Sequence, residues 1–233
     1  MRSALLRTRR RSALTVAALV ACTGLAACSG DDGAPGGGGG AGGEPVAGTE
    51  PVISPLTGLR LQGRAPRHPV LAVKVDNSTS SAPQVGLGDA DMVVEELVEG
   101  GITRLALFYH ERTPARVGPV RSIRATDIGV VQPLDAVLVA SGGARPTVER
   151  VRDAGIKTFT ETAQGFSRDT ARSAPYNLFV DVRQIAGTVK AGEAPGPYLP
   201  FGDGGLPKGQ PAKGLTASFS PSSSTTFSYQ GGR

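Results

Sequence analysis

The sequence predicts an α/β domain with a mixed sheet, an antiparallel hairpin over about residues 92–109 and flanking helices. Three observations predict it. Val70 to Val75 is an apolar, β-branched run ending in Asp76-Asn77, the pattern of a strand followed by a turn. Met92 to Glu99 and Ile102 to Tyr109 are two more strand patterns, and only Gly100-Gly101 separates them, the spacing of a tight hairpin. The second half alternates strand and helix patterns, which favours one sheet with helices packed on it.

Ahead of that domain, residues 1–27 follow the order of a signal peptide. A basic stretch, Arg7 to Arg11, precedes the apolar run Ala13–Ala21, which is too short to span a bilayer as a helix. Leu25-Ala26-Ala27-Cys28 has the form of a lipobox, with the Cys28 thiol as the atom that takes the diacylglycerol. The expected result is a protein anchored in the cell membrane by lipid on Cys28, its domain on the extracytoplasmic face. The triple Arg leaves both the general secretory and the twin-arginine route open. Residues 28–54, with Gly36 to Gly40 uninterrupted, read as a Gly-rich tether.

The leader also accounts for the net charge of +5. Removing its five Arg leaves 20 basic residues against 20 acidic ones, so the basicity does not point to nucleic acid. Cys22 leaves with the leader and Cys28 is then alone, which excludes a disulfide framework within the chain.

Within the domain, taken as 55–190, Ser122 can cap a helix running to about Gln132. Ala136 to Ala140 reads as a strand, Thr147 to Ala154 as a helix stopped by Gly155, Ile156 to Thr160 as a short strand, and Asp181 to Lys190 as a helix stopped by Gly192. Residues 191–214 read as a Pro/Gly linker. Leu215 to Tyr229 reads as one or two strands without room to pair, the truncated start of a β-rich domain over 215–233.

Chemistry concentrates at three places. A two-residue turn sets Glu99 opposite Ile102, Leu97 opposite Arg104 and Glu95 opposite Ala106, so Arg104 lies diagonal to Glu95 and Glu99. Glu96 then falls on the other face, with Met92, Val94, Val98, Leu105 and Leu107, where a carboxylate needs a cation or a raised pKa. Arg121 and Arg124 sit at a predicted helix start, where the dipole disfavours cations. Glu96, Asp127 or a bound carboxylate or phosphate would offset them, and Arg suits bidentate anion recognition. Arg168 and Arg172 precede Ala174-Pro175-Tyr176-Asn177. For all of these, internal ion pairs and a solvated basic face are the plain alternatives.

Other patterns carry less. His68 and His110 are the only imidazoles, nothing assembles a Ser–His–Asp triad, and a zinc site would lack His and Cys ligands. No metal or cofactor is expected. Gly142-Gly143 lacks a phosphate-loop context.

Five ordered motifs carry a family resemblance: Pro55-Leu56-Thr57-Gly58, Ala72 to Asn77, Glu95 to Arg104, Gly118-Pro119-Val120-Arg121-Ser122 and Ala174 to Leu178. Together they resemble the YerB-like lipoproteins, over about residues 55–190. The resemblance implies a Gram-positive cell-surface lipoprotein whose core is a domain of unknown function. Two departures stand out. Tyr176 stands where the family pattern has His, and only the opening of the family's β-rich C-terminal domain is present, which reads as a truncated chain.

Three functions follow. The favoured one is a binding module that holds an anionic envelope ligand or protein partner through Arg104, Arg121, Arg124 and Asn177. The alternative is a cell-envelope glycan hydrolase using carboxylates from Glu95, Glu96 and Asp76, which needs two carboxyl groups about 5–9.5 Å apart across an open groove. The third is a structural partner protein whose Arg and Glu residues pair internally.

Overall fold

The computed structural model describes residues 52–190, 192–202 and 208–230. The predicted leader, Cys28 and the tether up to residue 51 lie outside them. Strands β1 (Leu71–Asp76), β2 (Met92–Leu97), β3 (Thr103–Tyr109), β4 (Val137–Val139) and β5 (Thr158–Phe159) form one mixed sheet in the order β2-β3-β1-β4-β5. β1 pairs antiparallel with β3 and parallel with β4, and β4 pairs parallel with β5.

All six β1 residues are buried because both faces of the sheet are covered. One face carries Leu71, Val73, Val75, Leu105, Leu107 and Tyr109. It packs on β7 (Leu178–Val180) and α3 (Val182–Thr188), and β7 also pairs with β6 (Phe166–Arg168). The other face carries Val70, Ala72, Ala106, Phe108 and Leu138, beneath α1 (Asp127–Val131) and α2 (Arg145–Asp153). Burying both faces removes apolar area from water at roughly 25 cal/mol per Å². It also makes β1 read as a nearly continuous apolar run rather than an alternating one. Lys74 and Asp76 are the exceptions in that run, and both point to the helical face.

The β2–β3 hairpin is looser than its glycine pair predicts. Val98 to Ile102 form the connection, closed by Val98 N–H donating to Ile102 O at 2.9 Å, with Glu99–Gly101 in a 3-10 turn. Gly100 and Gly101 both take left-handed backbone, at φ 76° and 73°. The register moves by one residue: Glu96 faces Arg104, Glu95 faces Leu105 and Val94 faces Ala106. A one-residue slip exchanges the faces. Arg104 therefore shares a face with Glu96, Ala106 and Phe108, while Leu105 and Leu107 lie on the face of Glu95.

The helix expected from Ser122 to Gln132 shrinks to α1 and a 3-10 turn over Gln132–Leu134. Asp127 Oδ2 accepts from Arg124 N–H at 2.7 Å, which holds residues 124–127 in a turn. Pro133 ends the α-helix just beyond. At α3 the Asp181 carboxylate caps the first turn by accepting from Gln184 N–H at 3.0 Å.

Segments expected to be tether, linker and unpaired strand carry ordered contacts. Ile53 bridges Arg60, and Tyr198 N–H donates to Pro55 O at 2.8 Å while its ring tilts on Phe108. β8 (Gly214–Ser220) and β9 (Ser223–Ser228) pair with each other as an antiparallel hairpin. Ser220 Oγ donates to Gly101 O at 2.6 Å and Thr225 Oγ1 to Glu95 Oε2 at 2.7 Å, so this hairpin leans on the β2–β3 turn.

Candidate functional site

One end of the sheet gathers the carboxyl ends of β1, β2 and β4 and the start of β3. Ligands of open α/β sheets sit beyond the carboxyl ends of parallel strands. Here that edge is laced by residues 117–124. Val120 bridges Val75, Arg121 N–H donates to Lys74 O at 2.9 Å, and Ser141 N–H donates to Arg121 O at 3.0 Å. The chain is thus stitched between β1 and β4, which aims Arg121 and Arg124 at the end of the sheet.

Three guanidinium groups meet there. Arg121 Nε pairs with Asp76 Oδ2 at 2.9 Å, its Nη1 donates to Pro175 O at 3.2 Å, and its Cζ lies 5.5 Å from the centroid of the Tyr176 ring. Asp76 Oδ1 accepts from Ser78 N–H and Ser78 Oγ. Arg124 Nε pairs with the exposed Glu99 at 2.7 Å and its Nη1 donates to Ile123 O. The Arg124 hydrogen bond lowers the pKa of Glu99.

Arg104 differs from both in having no carboxylate partner. It is 5% exposed, its Nη1 donates to Ser122 O at 2.9 Å, and its Nε is buried with no hydrogen-bond partner. Among the described residues no carboxylate lies within salt-bridge distance of it. Burial, and then the charges of Arg124 and Arg121, push its pKa below the ordinary guanidinium value. A buried cation that repels its neighbours is costly unless something anionic joins it.

Beneath the arginines lies a polar group inside the core. Lys74, fully buried, places Nζ 2.5 Å from Glu96 Oε1 and 2.6 Å from Asp127 Oδ1. Thr126 Oγ1 donates to Glu96 Oε2 at 2.8 Å. Burial is the main cause raising the Asp127 pKa, against the lowering effect of Lys74. The sequence names Glu96 and Asp127 as partners for the arginines. The structure gives both to Lys74, whose only signal is its place in the middle of a buried strand.

The remaining candidates separate. Glu95 does not face Arg104. It accepts from Asn77 Nδ2, Thr103 Oγ1 and Thr225 Oγ1. Asn177 Oδ1 accepts from Arg168 Nη1 at 2.9 Å, and Arg168 also pairs with Glu161 at 2.5 Å. Arg168 and Glu161 line a cavity of about 280 Å³ together with Arg121, Ser122, Ser141 and Pro175. Asn177 therefore supports the wall of that cavity through Arg168. Sequence reasoning reads Ser122 as a helix cap and not as part of the cavity, and it misses Ser141 and Glu161, which none of the five motifs contains. Among the described residues no group of three or more His, Cys, Asp or Glu could hold a metal ion.

With this geometry in place, residues 56–194 match the family described as the N-terminal domain of a protein of unknown function, DUF3048. The chain belongs to this family. It is 37% identical over 99 residues to "Putative lipoprotein YerB" of Bacillus subtilis (strain 168), a stretch covering 41% of this chain and 30% of that protein. The crystal structure of the YerB protein from Bacillus subtilis matches with a TM-score of 0.56 at 26% identity, covering 63% of this chain and 53% of that one. The chain thus spans about half the length of the YerB chain seen in the crystal, and the two share the mixed α/β fold. This family member is YerB-like, related to a lipoprotein of unknown function.

Proposed function

We propose that this domain is an anion-binding module, displayed outside the membrane by lipid on Cys28. Its ligand is a carboxylate- or phosphate-bearing molecule of the cell envelope, or an acidic partner protein. The observation that carries the reading is Arg104, a buried guanidinium with an unpartnered Nε, set beside two more arginines at the carboxyl ends of the parallel strands. Arg121 and Arg124 each keep one carboxylate partner, so the cluster retains uncompensated positive charge. A bound anion would supply charge-assisted hydrogen bonds, the strong kind, at a point the fold already leaves electropositive. The Arg168 wall, braced by Asn177, would border the same ligand. Anchoring by lipid rests on the leader order and the lipobox, and it accords with the name of the relative.

A carboxylate-dependent hydrolase is less well supported. Glu96 and Asp127 share one lysine beneath the surface, and Glu95 is engaged by three side-chain donors. Neither arrangement offers two free carboxylates across an open groove.

Calorimetric titration of the full chain with glycerol phosphate and with citrate tests the proposal. Binding of either anion is expected, weakened about tenfold or more by Arg121→Ala, in line with roughly 1.5–3 kcal/mol for a hydrogen bond to a charged group. Arg145→Ala, an exposed change on α2, should leave it intact. No binding of either probe, or equal binding by both variants, would remove the idea.

A further inference from the structure

The Lys74 group has the composition of a reaction centre as well as of an ion pair: a buried amine between two carboxyl groups. We propose that Lys74 and Asp127 join through an intramolecular amide bond, with Glu96 carrying the proton. The Lys74 amine lies 2.6 Å from Asp127 Oδ1, held against the carboxyl group it would attack. Glu96 Oε1 lies 2.5 Å from the same amine, and Thr126 Oγ1 fixes the other Glu96 oxygen. The second oxygen of Asp127 accepts from Arg124 N–H at 2.7 Å.

Each part has a use. The step begins with transfer of one proton from Nζ to the Asp127 carboxylate, which gives the amine and the acid from which the bond forms. Burial already raises the Asp127 pKa. The Nζ lone pair attacks Cγ of Asp127, forming the C–N bond and placing negative charge on Oδ2, where Arg124 N–H stabilises it as an oxyanion-hole donor does. Glu96 takes a proton from Nζ and returns one to Oδ1, which leaves as water when the C–Oδ1 bond breaks. An amine and a carboxylic acid become an amide and one water, and no oxidant or cofactor is needed. Proximity supplies the drive, since both reactants are held in one dry site by β1 and α1. The product ties the central strand to the helix that carries the arginine segment. Two buried charges disappear in the process, which relieves the desolvation cost of an ionic pair.

Mass spectrometry of the full chain, bearing Cys28→Ser so that no lipid is added, tests this directly. The intact mass should fall short of the sequence mass by about 18 Da, one water. Trypsin should release residues 68–104 uncleaved at Lys74 and joined to residues 125–150. Glu96→Gln, which removes the proton carrier and keeps the side-chain shape, should restore the full mass and cleavage at Lys74. Lys74→Arg should do the same. A full sequence mass for the folded parent chain, with free peptides ending at Lys74, would overturn the proposal, because the three side chains would then be an ion pair only. That outcome would leave anion binding at the arginines untouched.

Discussion

Two buried groups set the energetics at the scale of single residues. Lys74→Met removes the partner that Glu96 and Asp127 share, whether it holds them as a cation or through the proposed amide, and strands them as facing carboxylates. Breaking a buried pair in this way costs on the order of 3–5 kcal/mol, and urea unfolding at neutral pH should show a loss of that size. His110 gives a pH dependence of definite sign. Burial, then the nearby His68, holds its imidazole below the ordinary value of 6.5. The rings meet edge to face at 5.9 Å, and His110 Nδ1 is buried without a partner. The unfolded chain therefore binds a proton that the folded chain refuses. This contribution to stability is complete above the unfolded value and is lost as pH falls through it toward the folded one. The melting temperature should drop between about pH 7.5 and pH 5, and His110→Phe should flatten that slope. An unchanged slope in the variant would assign the dependence to other groups.

Among the elements, the sequence shows where strands lie better than how they pair. The β-branched residues of β1, β2 and β4 and the apolar and aromatic run of β3 are legible because burial selects them. The hairpin register is not, because Gly100-Gly101 suits either a two-residue turn or the wider connection found here, and the two differ by one residue in every cross-strand partner. That single step decides whether Glu96 belongs with Leu105 or with Arg104. β6 and β7 escaped notice because Phe166-Ser167-Arg168 has only one apolar residue and Leu178-Phe179-Val180 runs straight into the Asp181 cap of α3. The shortened α1 starts later than Ser122 suggests: Asp127 Oδ2 accepts from Arg124 N–H and holds residues 124–127 as a turn ahead of the helix. The strip over residues 117–124 also depends on one glycine. A Cβ on Gly118 would lie 2.7 Å from Leu178 O and 2.9 Å from the Phe179 ring. Gly118→Ala should therefore force Val120 and Arg121 away from β7 and β1, costing about 1–3 kcal/mol in denaturant unfolding. An unchanged midpoint would mean that the strip yields without strain.

Across the whole molecule, the sheet divides two apolar layers and leaves its polar chemistry at one end. A larger cavity, about 740 Å³, lies elsewhere, lined by Arg67, His68, Arg183 and Lys190, and it contains none of the arginines of the candidate site. Sequence alone named Arg104, Arg121, Arg124 and Asp76, and the fold brings these four to one edge. It could not tell that Asp76 would serve Arg121 while Arg104 went without a carboxylate, since that follows from the register and from the strip crossing above β1. Anion binding as the property of this end predicts a salt-sensitive affinity, falling as ionic strength screens the exposed part of the cluster. The most direct measurement follows the Nε–Hε signals of arginine by nuclear magnetic resonance while glycerol phosphate is added to the full chain. The signals of Arg104, Arg121 and Arg124 should shift together along one binding curve, with that of Arg145 fixed. Stationary signals from all three, or three unrelated curves, would contradict a shared anion site.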